Sequence, residues 1–117
     1  MGKGETMSRK MTDLINTVHC IATDEMNRAN KEWPAFSSKH EALGVLDEEI
    51  FEMEEELKGF RERNIELHTA VYRDYDMTKA LRNAEHRMAA ALAEGTQVLA
   101  MIKKFRCLLE SEEKKHE

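Results

Sequence analysis

Proline is almost missing from this chain of 117 residues: Pro34 stands alone, and there are only five glycines. A sequence so poor in turn breakers, and rich in Glu, Lys, Arg, Ala, Leu and Met, favours long helices over short strands and tight turns. Aromatic residues are scarce, at 6%. The two cysteines, Cys20 and Cys107, lie far apart with no CxxC spacing. That excludes a Cys/His zinc cluster and leaves reduced thiols as the expectation. No run approaches the ~18 apolar residues of a membrane span, and no secretory apolar region opens the chain, so a soluble, cytoplasmic protein with no membrane partner is expected. An excess of basic charge is missing too. Acidic residues outnumber basic ones by 23 to 18, for a net charge of −5, and the bases are scattered, which argues against a nucleic-acid surface. An acidic chain can still take a nucleotide, because a metal ion supplies the positive charge that phosphates need.

What the chain does have is hydrophobic periodicity. Over 8–31, Met11, Leu14, Ile15, Val18, Ile21, Ala22 and Met26 recur at the spacing of an amphipathic helix. Glu32-Trp33-Pro34 closes it, since proline disfavours helix at the residue before it, and 35–37 form a short connection. Ser38 with Glu41 three residues on is a capping-box pattern. It opens a second helix expected to reach about Phe60, on a stripe of Leu43, Leu46, Ile50, Met53, Leu57 and Phe60, with Gly59 and Asn64 suggesting a break. Residues 61–80 are the hardest to read: Ile65, Leu67, Val71 and Tyr72 suit a helix, while Arg73-Asp74-Tyr75-Asp76 reads as a connection. Either Asp76 or Thr78 caps the next helix. That third helix is expected to run to about Ser111, with Met88, Ala91, Gly95, Val98, Ile102, Phe105 and Leu109 as its stripe. Residues 1–7 and 112–117 read as frayed tails of one domain spanning 1–117. The expected architecture is all-α, with long antiparallel helices in a bundle. Hydrophobic residues reach 41%, and three long helices in so short a chain cannot enclose one another, so oligomerisation is expected to complete it.

Seven of the ten residues from Asp47 to Glu56 are acidic. A solvated helix face is the ordinary account of such a run, and position relative to the apolar stripe separates the readings. At about 100° per residue, Glu49 and Glu56 fall roughly 60–90° to one side of the Leu46, Ile50, Met53 and Leu57 line, with Glu52 further round the same way. On the third helix, Glu94 falls roughly 60° and Gln97 roughly 120° from the Ala91, Val98 and Ile102 line. Both helices thus carry an i, i+3 pair of oxygen ligands beside their core seam, and antiparallel packing lets the pairs converge. Carboxylates brought together repel one another unless a cation joins them. Hard oxygen donors select Mg²⁺ or Mn²⁺ over zinc, and a metal-activated water attacking a phosphoanhydride is the natural chemistry.

The stretch from Trp33 through Phe36, Ser38, His40 and Glu41 to Glu48-Glu49-Ile50-Phe51-Glu52 is similar to the MazG-like all-α nucleoside triphosphate pyrophosphohydrolases, closest to their short phage and bacterial members. Glu48, Glu49 and Glu52 match the EExxE motif, and Asn27 to Trp33 looks like the family's first-helix ending. Glu94 to Gln97 matches the later ExxD, with glutamine where aspartate is usual, which removes one negative charge. The resemblance covers roughly 20–57 and 90–106. It implies Mg²⁺-dependent hydrolysis of a nucleoside triphosphate to the monophosphate and pyrophosphate, by a homodimer or homotetramer. Glu49, Glu52 and Glu94 would be metal ligands, and Gln97 a substitute ligand or a donor behind them. Glu48 would orient or deprotonate the water or assist the metal, and Trp33 would contact the base. A helical nucleotide- or protein-binding module without catalysis is the alternative. Phe36 reads as a packing residue, and Lys103 and Lys104 as a solvated helix face.

Overall fold

Three helices carry the chain: α1 (Lys3–Glu32), α2 (Lys39–Tyr72) and α3 (Thr78–His116). The computed structural model describes residues 3–33 and 35–116, and side chains over 8–33 and 35–114; no strand occurs among them. The first helix closes with the Trp33 amide donating to the Ala29 carbonyl at 2.7 Å. Ser38, in an extended conformation, caps α2 by accepting from the Glu41 amide at 3.1 Å. The Glu41 carboxylate accepts the Ser37 hydroxyl at 2.5 Å, so two serines share the capping role that the pattern assigns to one.

The second helix does not stop near Phe60 but continues to Tyr72. Gly59, the expected break, lies under Arg87 of α3: a Cβ there would stand 3.4 Å from the guanidinium carbon. Arg87 in turn pairs with Glu56 at 3.3 Å. Packing across Gly59 outweighs the ~1 kcal/mol that glycine costs a helix. The real end comes at a Schellman turn, where the Tyr75 amide donates to the Ala70 carbonyl at 2.9 Å and the Asp74 amide to the Val71 carbonyl at 3.3 Å. Asp74 holds the left-handed position, with φ 56°, which a side chain makes costly and glycine does not. Asp74→Gly should therefore stabilise the fold by about 0.5–1 kcal/mol, read as a higher midpoint in thermal unfolding followed by circular dichroism. Of the two candidate caps for α3, Asp76 takes the role, its Oδ1 accepting from the Thr78 amide at 3.0 Å and the Thr78 hydroxyl at 2.8 Å.

The tails expected to fray are helical as far as they are described, from Lys3 in α1 and to His116 in α3; Met1, Gly2 and Glu117 lie outside the described residues. An ion pair from Lys39 to Glu112 (3.9 Å) and one from Arg106 to Glu110 (3.4 Å) support the end of α3.

The first of these pairs also shows the topology. Lys39 meets Glu112, Met53 meets Gly95 and Glu56 meets Arg87, so α2 and α3 run antiparallel. Among the described residues α1 packs on α3 and not on α2, its last turns beside the middle of α3, with Ala29 joining Ala100 and Met101 in one buried cluster. Because α3 serves two neighbours, its buried line (Ala84, Ala91, Ala100, Met101, Lys104) is wider than the expected stripe, and Ile102 and Leu109 of that stripe are exposed. Leu43 of the α2 stripe is exposed as well. The core is mostly alanine, and no large side chain among the described residues is fully buried. The radius of gyration, 19.0 Å, far exceeds the ~13 Å of a compact domain of this length. Residues 8–20 are all exposed, including the apolar Met11, Leu14, Ile15 and Val18. Cys20 and Cys107 are free and exposed. Among the described residues no helix is long and apolar enough to cross a membrane.

Candidate functional site

Helix phase and antiparallel pairing decide which acids of the 47–56 run meet α3. Glu49 and Glu52 from α2 and Glu94 from α3 come together, one carboxylate oxygen of each lying within 4.8 Å of the others. Gly95, next to Glu94, faces Met53, next to Glu52, and a Cβ on it would stand 3.5 Å from the Met53 sulfur. The small residue lets the two helices approach at the level where the acids sit.

The electrostatics match that convergence. Burial, then the charges of Glu52, Glu94, Glu48 and Glu25, push the Glu49 carboxyl above its ordinary range. Burial, then Glu52 as a charge and a hydrogen-bonding neighbour, then Glu56, do the same to Glu94. Opposed oxygens across an octahedral Mg²⁺ stand about 4.2 Å apart, so small side-chain adjustments would let these three carboxylates share one ion. An all-carboxylate donor set suits Mg²⁺ or Mn²⁺ rather than a soft metal. Of the other acids in the run, Asp47, Glu54 and Glu55 are exposed, and Glu56 is paired with Arg87. Glu48 is exposed beside the cluster and lines the adjoining cavity.

Gln97 is held by its amide nitrogen. Its Nε2 donates to Glu25 Oε1 at 2.8 Å, linking α3 to α1. Glu25 also accepts from Arg28, whose Nε lies 3.0 Å from Oε2 and whose Nη2 contacts Oε1; Arg28 reaches on to Glu32 at 3.3 Å. The hydrogen bonds from Arg28, then Gln97, draw the Glu25 carboxyl down to about 2. Glu25 is therefore a fixed negative charge behind Glu49, and sequence reasoning missed it. The signal was present: Glu25 sits between Ala22 and Ala29 on the line of the α1 apolar stripe, where a core residue is expected.

Beside the cluster opens a cavity of about 700 Å³, its wall including Arg28, Trp33, Phe36, Glu48, Glu49, Gln97 and Lys104. Trp33 is 67% exposed, whereas Phe36 is buried, as its packing role requires. Lys104 departs from the solvated reading: it is only 6% exposed, with its ammonium 4.5 Å from the centroid of the Phe36 ring. Comparison of the chain with protein-family models, with curated proteins and with solved structures finds no match.

Proposed function

We propose that the protein hydrolyses a nucleoside triphosphate to the monophosphate and pyrophosphate with Mg²⁺ or Mn²⁺, in the manner of the MazG-like enzymes it resembles. The observation that carries this reading is the convergence of Glu49, Glu52 and Glu94 from two helices on the edge of a cavity whose wall includes Trp33. A divalent cation held there supplies a polarised water and sites for phosphate oxygens. Glu49, with Glu52 and Glu94, would hold the ion; Glu48, exposed beside Glu49, would orient the water and accept its proton. The water oxygen bonds to the α-phosphorus, the bond to the bridging oxygen breaks, and pyrophosphate leaves. Trp33 offers an exposed aromatic face to the base. On this reading the setting is cytoplasmic, where the free thiols of Cys20 and Cys107 stay reduced, and a second copy covers the bare stripe of α1 in a homodimer or homotetramer. The test is pyrophosphate release from a panel of ribo- and deoxynucleoside triphosphates, with Mg²⁺, with Mn²⁺ and with chelator. Metal-dependent release from at least one nucleotide is expected, and none from any would sink the reading.

One observation favours a second reading, a helical binding module without catalysis. Gln97, the residue in the fourth ligand position of the resemblance, is neutral and spends its amide nitrogen on Glu25, which leaves the ion one negative charge fewer than the family's aspartate supplies. Titration with Mn²⁺ separates the two readings: intact helicity without metal binding favours the module.

A further inference from the structure

Among the described residues, Lys104 is the one charged residue that is buried. Its side chain is packed away while the residue borders the cavity, and a carboxylate partner is the usual neighbour of a cation so placed. Lys104 takes part in none of the ion pairs found among the described residues; it rests instead on the face of Phe36, 4.5 Å from the ring centroid. The face of an aromatic ring returns only part of what water gave. The other cation in the cavity wall, Arg28, is committed to Glu25 and Glu32. So the cavity wall holds one cation without a carboxylate partner, on a largely buried side chain, in the same wall as Glu49.

Charge balance says what that cation is for. One divalent ion among three carboxylates leaves the cluster of Glu49, Glu52 and Glu94 with a net negative charge. A polyphosphate, which carries several negative charges along its length, needs positive charge from elsewhere in the cavity. We infer that Lys104 is a substrate-binding residue, its ammonium held by Phe36 so as to take a phosphate oxygen of a polyphosphate anchored at the carboxylate cluster. The inference deepens the proposed hydrolysis and rests on reading that cluster as the cation site. A phosphate oxygen supplies the partner that Lys104 lacks, and Phe36 fixes the ammonium before the ligand arrives.

The test compares Lys104→Met, which keeps the length and packing of the side chain, with Lys104→Arg, which keeps the charge. Binding of inorganic triphosphate in the presence of Mg²⁺ is measured by calorimetry on the full chain, alongside binding of Mn²⁺ alone. Lys104→Met should weaken triphosphate binding at least about tenfold, the size of a hydrogen bond to a charged group, and leave Mn²⁺ binding unchanged; Lys104→Arg should restore most of the affinity. If the methionine variant loses helicity, Lys104→Gln takes its place in the same measurement. Triphosphate binding that is absent in the wild type, or unchanged in the methionine variant, overturns the inference. Lysine-dependent triphosphate binding in a protein that cleaves no nucleotide would sustain the anion site and defeat the hydrolase. Cleavage with a KM that Lys104→Met leaves unmoved would do the reverse.

Discussion

Glu49→Gln should cut pyrophosphate release by about 10³-fold, the scale seen when one preorganised polar group is removed from a transition state, and should make the metal-free protein more stable. Both effects follow from one geometry. Glu49 stands within a group of three carboxylates, and its own carboxyl is held above the ordinary value by burial first and by Glu52, Glu94, Glu48 and Glu25 after that. An acid whose carboxyl is raised in the folded state binds its proton more tightly there than in the unfolded chain. Its contribution to stability is complete below the ordinary value of 4.5 and is lost as the pH rises through the raised value. At neutral pH the ionised group opposes folding, and glutamine removes that opposition. A gain of about 0.5–1 kcal/mol, or a few degrees in Tm, is the expected size for a half-buried like-charge contact. The gain should vanish near pH 4, where Glu49 is protonated anyway. Adding Mg²⁺ should raise the wild-type Tm more than that of the variant, since binding to the folded state alone stabilises it. Glu25 carries the opposite sign: held down to about 2 by Arg28 and Gln97, it stabilises the fold above 4.5 and loses that contribution as the pH falls toward 2. A Glu49→Gln protein with wild-type turnover, or with lower Tm at pH 7, would falsify the shared-ion geometry.

The residues that were legible in the sequence are those whose placement depends on one helix or on two adjacent in the chain. Ser38 caps α2 because the capping contact spans three residues, and Glu49 and Glu52 share a ridge because helix phase does not change with context. Glu94 meets them because the turn at 73–77 brings α3 back along α2. Gln97 needed more. That its amide nitrogen reaches Glu25 depends on where α1 lies along α3, which no local pattern encodes. The same holds for Lys104. Beside Lys103 it reads as one of two solvated bases, and only the seat of Phe36 after the break in helix at 33–38 makes it a buried one. The end of α2 was misread for a related reason: Gly59 weakens a helix in isolation, yet here Arg87 and Glu56 bridge it from across the seam.

If a second copy covers the α1 stripe, as proposed, Val18→Glu and Leu14→Glu should each convert the assembly to monomer, and helix content should fall as it dissociates. On α1, Met11, Leu14, Ile15, Val18 and Ile21 are all exposed, yet they continue the line along which Ala22 and Ala29 are buried against α3. In the proposed assembly the five apolar side chains on this face would meet those of a second copy across a two-fold axis. Each is roughly half exposed, so covering all ten offers on the order of 10 kcal/mol before the cost of association is set against it. Residues 8–20 are all exposed, and an isolated helix of that length is marginal in water, which favours cover by a second copy. A glutamate in the stripe appears once in each copy, placing two like charges in one apolar seam. The association constant should drop on the order of 10²-fold or more. Sedimentation equilibrium gives the mass, and far-ultraviolet circular dichroism at the same concentrations gives the helicity. A wild-type chain that sediments as a monomer, with the full helicity of α1 intact, would show that this stripe needs no second copy. If instead the variants dissociate but keep the triphosphate and Mn²⁺ affinities of the wild type, assembly serves to hold α1 in place. Glu25 and Arg28 lie toward the docked end of that helix, so a modest loss of affinity on dissociation is the expected result.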